Sequence, residues 1–434
     1  MHTLIKNVDI LTMNPSLEEW FDGWIAFADG RITYVGPGQN PEVERQYDEV
    51  IDGHGYWLMP GLVNTHGHAA MILLRGLGDD LPLQEWLEAK MWPLEARFTA
   101  DHVYWGTSLA AVEMIKSGTT LFLDMYAHMD QVGKVVEQAG LRATLSRGMI
   151  GLCSEQEQQT KLDDTAAFIR QWQGEAQGRI ATMIAPHSAY TCPPSFIMKA
   201  LELADELEIP VHTHLSETAR EVAENEVRYG CRPVEHLEKL GFFQRSALVA
   251  HAVHVNDEEI HLLKEHDVRV SHNPMSNLKL ASGVAPIPRM LEHGLTVGLG
   301  TDGAASNNHL DMFEEMRIAS LVQKGVTGNP LALPATTMLR MATLDGAKAL
   351  FRDHETGSLE VGKAADFIML DPKQNRLLPA HQHSSMLVYS ASGAEVSHMY
   401  VDGRCLMRNG ELLTLDEEQI RREVARVIHE LLPS

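Results

Sequence analysis

The sequence predicts an α/β fold: a (β/α)8 TIM barrel accompanied by a small β-sandwich that the N- and C-terminal segments form together. The first observation is length, since 434 residues exceed one small domain and suit a large domain with an accessory one. The second is a middle region in which apolar, strand-like runs alternate with amphipathic helical stretches. The third is that both ends of the chain are rich in short strand patterns.

The middle of the chain contains eight candidate strands within about 290 residues, and strand–helix alternation repeated eight times is typical of a (β/α)8 barrel. The candidate strands read LMPGLVNTH, TTLFLDM, RATLSRG, IATMIAP, PVHTHLSE, ALVAHAVH, VRVSHNP and TVGLGTDG. Helical stretches such as PPSFIMKALELADELE and NDEEIHLLKEH lie between them. A doubly wound sheet is the alternative, but it normally carries a glycine-rich phosphate loop after its first strand, and this sequence has none there.

The two ends of the chain have the alternation and glycine turns of β-hairpins. The segments are VDILTM, GWIAFADG and RITYVGPG near the N-terminus, and SLEVGKAADFIMLD and HMYVDGRCLMRNGELL near the C-terminus. The polar helical pattern EEQIRREVARVIHELL closes the chain. We therefore expect residues 1–58 to form the first part of the sandwich, 59–356 the barrel, and 357–434 the second part with a C-terminal helix.

Composition excludes several classes of function. The formal net charge of -23 disfavours binding to nucleic acid and to anionic membrane surfaces. The N-terminus lacks the pattern of a signal peptide, and no run approaches the roughly 18 apolar residues of a membrane span. The four cysteines are scattered, which fits neither a disulfide framework nor a thiolate metal site. We expect a cytoplasmic protein that acts on small molecules.

Histidines and one aspartate stand at the carboxyl ends of the predicted strands, where a barrel places its active site. In chain order they are His66, His68, His187, His212, His214, His251, His254, His272 and Asp302. Residues two apart in a strand point to the same face, so each H-x-H pair can chelate one ion. Three imidazoles and one carboxylate suit zinc or iron and leave room for the water that hydrolysis requires.

The residues alone leave alternatives open. His212 and His214 form a second H-x-H pair, and spacing does not tell which of them is the ligand. A single histidine is more often a core or surface residue than a ligand. A set of candidate ligands at strand ends 1, 5, 6 and 8 favours a hydrolytic metal centre over that interpretation.

Five motifs resemble those of the amidohydrolase superfamily: PGLVNTHGH, HLSE, AHAVH, SHNPMSNLKL and LGTDGAASNN. Within the superfamily the chain is most similar to the 5'-methylthioadenosine/S-adenosylhomocysteine deaminase branch. The resemblance covers nearly the whole chain, including the split sandwich. Triazine chlorohydrolases and other purine-type deaminases share much of the pattern.

The resemblance implies a set of metal ligands. His66 and His68 match the paired ligands, His214 rather than His212 matches the third histidine, and Asp302 matches the carboxylate. Superfamily members with two metals carry a bridging lysine on strand 4, whereas strand 4 here reads IATMIAPHS. We therefore expect one divalent ion per subunit, with zinc favoured over iron or manganese.

The resemblance also implies catalytic roles. Glu217 matches the acid that contacts the substrate ring and protonates a ring nitrogen, which makes the neighbouring carbon electrophilic. His251 matches the histidine that orients the attacking water, and Asp302 shares in taking up its proton. The alternative for Glu217 is a helix-capping role, since acids favour first turns.

Further matches concern the substrate. Glu95 matches a glutamate that binds ribose hydroxyls, His187 a histidine that contacts the base, and Ser306 a polar contact near the sugar. Arg147 matches an arginine that binds the homocysteine carboxylate. The family's second arginine has no counterpart in the following loop, which offers only Lys161. Because lysine provides a point charge rather than a bidentate fork, this departure favours methylthioadenosine.

The resemblance therefore implies a zinc-dependent hydrolytic deaminase of adenine nucleosides that releases ammonia and an inosine analogue. The alternatives are a triazine chlorohydrolase or deaminase, a guanine-type base deaminase and, more remotely, a non-catalytic barrel. The first two have no need of a ribose-binding carboxylate, and the last typically lacks several ligands. Barrels of this kind often assemble, so we also expect a homo-oligomer, a dimer or tetramer.

Overall fold

The computed structural model describes residues 2–39 and 41–432. The N-terminal segment contributes five strands to a sheet that is separate from the barrel. These are β1 (His2–Leu11), β2 (Glu19–Ala28), β3 (Arg31–Gly36), β4 (Glu49–Asp52) and β5 (Trp57–Pro60).

The middle of the chain forms eight strands, each parallel to its neighbour, in the order of the sequence. They are β6 (Leu62–Asn64), β7 (Thr119–Tyr126), β8 (Arg142–Met149), β9 (Ile180–Pro186), β10 (Val211–Leu215), β11 (Ala247–His251), β12 (Arg269–His272) and β13 (Val297–Leu299). The first and last strands meet, since the Thr65 amide donates to the Leu299 carbonyl at 2.8 Å and the Asp302 amide to the His66 carbonyl at 2.9 Å. These contacts close the predicted barrel.

The C-terminal segment returns to the first sheet with β14 (Phe367–Leu370), β15 (Val396–Val401), β16 (Arg404–Arg408) and β17 (Glu411–Leu412). β14 lies antiparallel to β5, so strands from both ends form one nine-stranded sheet. The sheet folds over its own core: the ring of Phe27 on β2 lies 5.6 Å from that of Phe367 on β14, although β1 and β5 separate these strands. Neighbouring strands are about 4.8 Å apart, so a flat sheet would hold the two rings much farther from each other.

Helices cover the outside of the barrel and its mouth. They are α1 (Leu83–Glu85), α2 (Trp92–Glu95), α3 (Ala100–Lys116), α4 (Met129–Ala139), α5 (Glu155–Trp172), α6 (Pro194–Leu207), α7 (Ala219–Tyr229), α8 (Pro233–Lys239), α9 (Asp257–Glu265), α10 (Pro274–Lys279), α11 (Ile287–Glu292), α12 (Ala304–Asn307), α13 (Met312–Thr327), α14 (Ala335–Met341), α15 (Leu344–Ala349), α16 (His383–Tyr389) and α17 (Glu417–Leu431). A π-helical turn, Trp86–Met91, joins α1 to α2. Across the described ranges, no helix is long and apolar enough to cross a bilayer.

The predicted fold class is confirmed, but its first barrel strand is divided. The segment predicted as one strand, LMPGLVNTH, splits at Gly61: β5 belongs to the terminal sheet, and only β6 belongs to the barrel. A Cβ at Gly61 would lie 2.1 Å from the Thr120 side chain, so only glycine fits at this crossing between the two sheets. The domain boundaries at residues 58 and 356 remain predictions.

Candidate active site

Three histidines from distant parts of the chain converge at the mouth of the barrel. One ring nitrogen from each of His66, His68 and His214 lies within 4.8 Å of the other two. Oδ1 of Asp302 lies 3.6 Å from Nε2 of His66 and 3.2 Å from Nε2 of His68. His214 belongs to β10, whereas the other three follow β6 and β13, where the closing backbone contacts hold them.

The Nδ1 atom of each clustered histidine is engaged away from the centre. The partners are Nε2 of His212 for His66 at 2.9 Å, the Met125 carbonyl for His68 at 2.6 Å, and the His187 carbonyl for His214 at 2.7 Å. Such outward contacts select the tautomer whose Nε2 lone pair faces inward, as in histidines that bind metals.

The donor set fits a divalent metal ion. Nε2 of His66 is fully buried and has no hydrogen-bond partner among the described atoms, which is costly unless a ligand occupies the position. Three neutral imidazole nitrogens and one carboxylate match the preference of a hydrolytic zinc site. His212 supports this arrangement from behind: its Nδ1 meets the Leu248 carbonyl at 3.0 Å and leaves Nε2 to accept from His66.

Backbone strain is concentrated at the same strand ends. Ser216, His251 and Asp302 have φ values of 48°, 73° and 59°, a left-handed region that residues other than glycine adopt at a cost. Gly300 lies beside them, and a Cβ there would lie 2.6 Å from Oδ1 of Asn273. The fold therefore imposes unfavourable backbone geometry where the candidate ligands and acid are presented.

Asp302 is surrounded by hydroxyls and by imidazoles. Its Oδ2 accepts from Ser276 at 2.6 Å and from Ser306 at 3.1 Å. Burial by itself raises the pKa of Asp302, but the nearby imidazoles of His66 and His68 hold it well below its ordinary value. Asp302 is therefore ionised, and its charge favours a cation in front of it.

The histidines of the cluster respond to these surroundings in two ways. Burial lowers the pKa of His66 and His214 well below the ordinary value, so both are neutral. Burial also lowers that of His68, but the hydrogen bond and charge of Asp302 raise its pKa to about 9.

Glu217 and His251 form a second pair beside the cluster. Oε2 of Glu217 lies 3.8 Å from Nε2 of His251, whose Nδ1 contacts Oδ1 of Asn277 at 2.8 Å. Burial raises the pKa of Glu217, which suits a carboxyl group that must hold a proton near neutral pH. Glu221 supports the acid by accepting from the backbone amides of Ser216 at 2.9 Å and Glu217 at 2.7 Å.

A cavity of about 570 Å³ opens onto the cluster. Its inner wall includes His68, His214, Glu217, His251 and Asp302. The opposite wall is largely apolar and comes from the segment over the mouth; Leu83, Trp86, Leu87, Trp92 and Phe98 belong to it. This volume and mixed lining suit a small molecule with one polar and one apolar end.

Besides Glu217, two further predicted substrate residues line this cavity. Glu95 ends α2, and its Oε1 accepts from the Tyr126 hydroxyl at 2.6 Å. His187 follows β9; its Nδ1 contacts the Thr191 hydroxyl at 3.0 Å, and burial lowers its pKa to about 3. Lys161 also lines the cavity and donates to the Ile150 carbonyl at 2.6 Å.

Arg147 and Ser306 are not brought to the cavity wall. Arg147 lies on β8, and its guanidinium pairs with Asp164 of α5 at 3.0 Å. Ser306 lies behind Asp302, to which it donates, and within the described ranges neither residue lines the cavity. Their substrate contacts remain predictions.

Several supporting residues are missing from the sequence-based prediction. They are Asn277, Ser276, Glu221 and Tyr126, each in contact with a predicted site residue. Asn277 and Ser276 lie in the motif SHNPMSNLKL, so the motif was a signal for them. Glu221 and Tyr126 give no signal in the sequence, because their contacts depend on loop geometry.

Residues 57–406 match the model of the Amidohydrolase family, which covers most of the chain. The chain belongs to this family. Among curated proteins, this amidohydrolase is 51% identical over 426 residues to a 5-methylthioadenosine/S-adenosylhomocysteine deaminase from Halalkalibacterium halodurans, with 98% of this chain and 97% of the relative covered. It is also 48% identical to a 5'-deoxyadenosine deaminase from Methanosarcina acetivorans, with 99% and 98% covered.

Among solved structures, this amidohydrolase is similar to an adenosine deaminase from Xanthomonas campestris with bound zinc. The TM-score is 0.93 at 35% identity, and the match covers 99% of this chain and 98% of the other. The predicted superfamily and its branch are confirmed by these matches. They also support a divalent metal at the three-histidine cluster.

Proposed function

We propose that this amidohydrolase is a zinc-dependent hydrolytic deaminase of adenine nucleosides. It acts on 5'-methylthioadenosine, S-adenosylhomocysteine or both, and releases ammonia with the inosine analogue. The observation that carries the proposal is a cavity lined by His68 and His214 of the three-histidine cluster, by the carboxylate Asp302 and by the buried acid Glu217. The names of the curated relatives support both the deaminase activity and the nucleoside substrate.

His66, His68, His214 and Asp302 would hold one divalent ion per subunit, with zinc preferred. Such an ion supplies an activated water as the nucleophile for hydrolysis. The unpartnered Nε2 of His66 and the ionised Asp302 support this assignment. A zinc ion bound to the Xanthomonas campestris protein supports the choice of metal.

The chain's own residues move the protons. The Glu217 carboxyl group, whose pKa is raised by burial, donates a proton to the ring nitrogen next to the carbon under attack. Nε2 of His251 faces the same region because its Nδ1 is engaged by Asn277, and with Asp302 it orients the incoming water and takes up its proton. Return of a proton to the amine lets ammonia leave rather than amide ion.

The two ends of the nucleoside meet different walls of the cavity. Neutral His187 lies beside the cluster and contacts the base, whereas Glu95 accepts hydrogen bonds from the ribose hydroxyls. Apolar side chains such as Trp86 and Trp92 suit a methylthio group. Lys161 is the one lysine or arginine of the described cavity lining, and Arg147 is paired with Asp164, so a methylthio tail fits better than a homocysteine tail.

An ammonia-release screen tests the proposal. The panel comprises adenosine, 5'-methylthioadenosine, S-adenosylhomocysteine, 5'-deoxyadenosine, guanine and a triazine, each with the as-purified, chelated and zinc-restored enzyme. We expect turnover of the adenine nucleosides that chelation abolishes and zinc restores. Turnover confined to guanine or the triazine, or protein without metal or activity, would refute the proposal.

Glu95→Ala separates a nucleoside deaminase from a base or triazine hydrolase. We expect the variant to lose nucleoside turnover and to retain the metal, because it lacks the carboxylate that binds the ribose hydroxyls. Glu88→Ala is the matched control, since Glu88 lies exposed on the same segment. Unchanged nucleoside kinetics in Glu95→Ala would contradict the ribose-binding role.

The protein is further proposed to be a cytoplasmic homo-oligomer, a dimer or tetramer, that does not bind nucleic acid. The net charge of -23 supports the last point, because it repels a phosphate backbone. Light scattering after size-exclusion chromatography measures the oligomeric state, and a mass of one chain would exclude an oligomer.

A further inference from the structure

Tyr126 lies where the barrel meets the segment of residues 83–95 that forms part of the cavity lining. It is the last residue of β7, and its backbone is paired with β8. Its hydroxyl reaches across to Oε1 of Glu95, at the end of α2, at 2.6 Å. Both side chains line the cavity.

The contact is the only hydrogen bond to the Glu95 carboxylate within the described ranges. Burial raises the pKa of Glu95, and the hydrogen bond from Tyr126 lowers it again. The ring of Phe98 lies 6.2 Å from that of Tyr126, so the phenol is also held by packing. The carboxylate thus owes its orientation to a side chain of the barrel rather than to its own helix.

We propose that Tyr126 is a positioning residue that makes the enzyme selective for nucleosides with an intact 2',3'-diol. The inference rests on the proposed function, in which Glu95 binds the ribose hydroxyls. By engaging Oε1, the Tyr126 hydroxyl fixes the orientation of the carboxylate and leaves Oε2 free to accept from two vicinal hydroxyls of a substrate in the cavity. A carboxylate that is free to rotate meets the diol in this orientation only part of the time, and so loses selectivity.

Tyr126→Phe removes the hydroxyl and keeps the ring. The measurement is kcat and KM of the zinc-loaded enzyme for adenosine and for 2',3'-dideoxyadenosine. We expect KM for adenosine to rise about tenfold with kcat nearly unchanged, as the loss of one hydrogen bond to a charged group implies. The ratio of kcat/KM between the two substrates should fall by the same factor.

Two further variants distinguish positioning from a general structural role. Tyr104→Phe is the matched control: its hydroxyl donates to Gln138 at 2.8 Å, away from the cavity, and its diol selectivity should equal that of the wild type. In a Glu95→Ala background, Tyr126→Phe should not change the relative binding of inosine and 2',3'-dideoxyinosine any further, because the carboxylate that it orients is absent.

The outcomes are separable. If the wild type turns over adenosine but Tyr126→Phe keeps its diol selectivity, or loses activity equally on both substrates, the positioning role is overturned alone. If the wild type deaminates no nucleoside, the proposed function and this inference fail together. Binding of inosine and 2',3'-dideoxyinosine to the metal-free enzyme provides a readout independent of turnover, and the same ratio should fall.

Discussion

The surroundings of Glu217 suit the proton transfer that we propose for it. It is 4% exposed, its carboxyl faces both His251 and the cavity, and burial raises its pKa. Its backbone amide is engaged by Glu221, which leaves the carboxyl free to act. A capping role is not what the structure shows, because Thr218 caps α7.

At the residue scale, Glu217→Gln should retain the metal and lose activity. The amide keeps the shape of the carboxyl group, but its N–H protons are too weakly acidic to be transferred to a ring nitrogen. We expect kcat to fall by about 10²–10⁴-fold, the usual contribution of general acid–base catalysis. Ammonia release and metal content per chain are the measurements.

The control for this variant is Glu224→Gln on the neighbouring helix. Glu224 is 46% exposed on its side chain and pairs with Arg220, so its loss should leave both turnover and metal content unchanged. Turnover of Glu217→Gln within a few-fold of the wild type would contradict the assigned role.

At the element scale, the loops after β10 and β11 are held together by hydrogen bonds. The His254 amide donates to the Ser216 carbonyl at 2.9 Å, and the Glu221 side chain accepts from Ser216 and Glu217. Burial raises the pKa of Glu221 to about 7. These contacts stabilise the positive φ of Ser216 and place Glu217 opposite His251.

Glu221→Ala should therefore reduce catalysis without removing the metal. Two buried amides lose their acceptor, so the loop that presents Glu217 relaxes. We expect kcat to fall roughly 10–100-fold while KM and metal content change little. Steady-state kinetics, with Glu224→Ala as the control on the same helix, measures the effect. A fall in metal content that parallels the fall in kcat would instead indicate a general structural defect.

At the scale of the whole molecule, an ion-pair network joins the barrel to the terminal sheet. Arg142 on β8 is 1% exposed on its side chain and pairs with Asp366 at 2.8 Å, Asp402 and Glu355. Asp366 precedes β14, and Asp402 follows β15. The network thus connects the base of the catalytic barrel to the sheet formed by the chain ends.

Arg142→Met should destabilise the protein by about 3–5 kcal/mol, because it leaves buried carboxylates without their cation. The midpoint of urea unfolding measures this change. Arg170→Met is the control, since Arg170 and Glu206 form a pair with side chains 60% and 64% exposed, and such pairs contribute about 0–1 kcal/mol. Equal effects of the two variants would contradict the importance of burial.

The same network predicts a pH dependence. Burial by itself raises the pKa of Asp366, but the charge and hydrogen bond of Arg142 hold it below its ordinary value. Its contribution to stability is therefore complete above the unfolded pKa of about 3.9 and is lost as the pH falls through the lower, folded pKa. The difference in stability between wild type and Asp366→Asn should shrink below about pH 4, as urea midpoints at several pH values would show. A constant difference would exclude this linkage.

Much of the fold and the core of the candidate site could be predicted from the sequence, because both depend on local patterns. Alternation of strands and helices predicted the barrel, and histidines at strand ends predicted where the three-histidine cluster lies. The predicted length of the first strand was wrong. The strand is divided where Gly61 packs against Thr120, and because these two residues are far apart in the sequence, no local pattern indicates the division. His66 and His68 consequently follow a strand rather than lie on one, and backbone contacts with β13 bring them together instead.

The sequence by itself determined the family, the (β/α)8 architecture and the identity of the clustered histidines and acid, because periodicity and motifs are properties of contiguous residues. Only the tertiary structure decided how those residues are oriented. Hydrogen bonds between residues distant in the sequence, or across a loop, fix these orientations: His212 contacts His66, Glu221 accepts from the Glu217 amide, and Tyr126 donates to Glu95. Only the structure showed that Arg147 forms an ion pair with Asp164 and does not line the cavity. The direction of a side chain at a strand end depends on its packing against helices, which the sequence does not reveal.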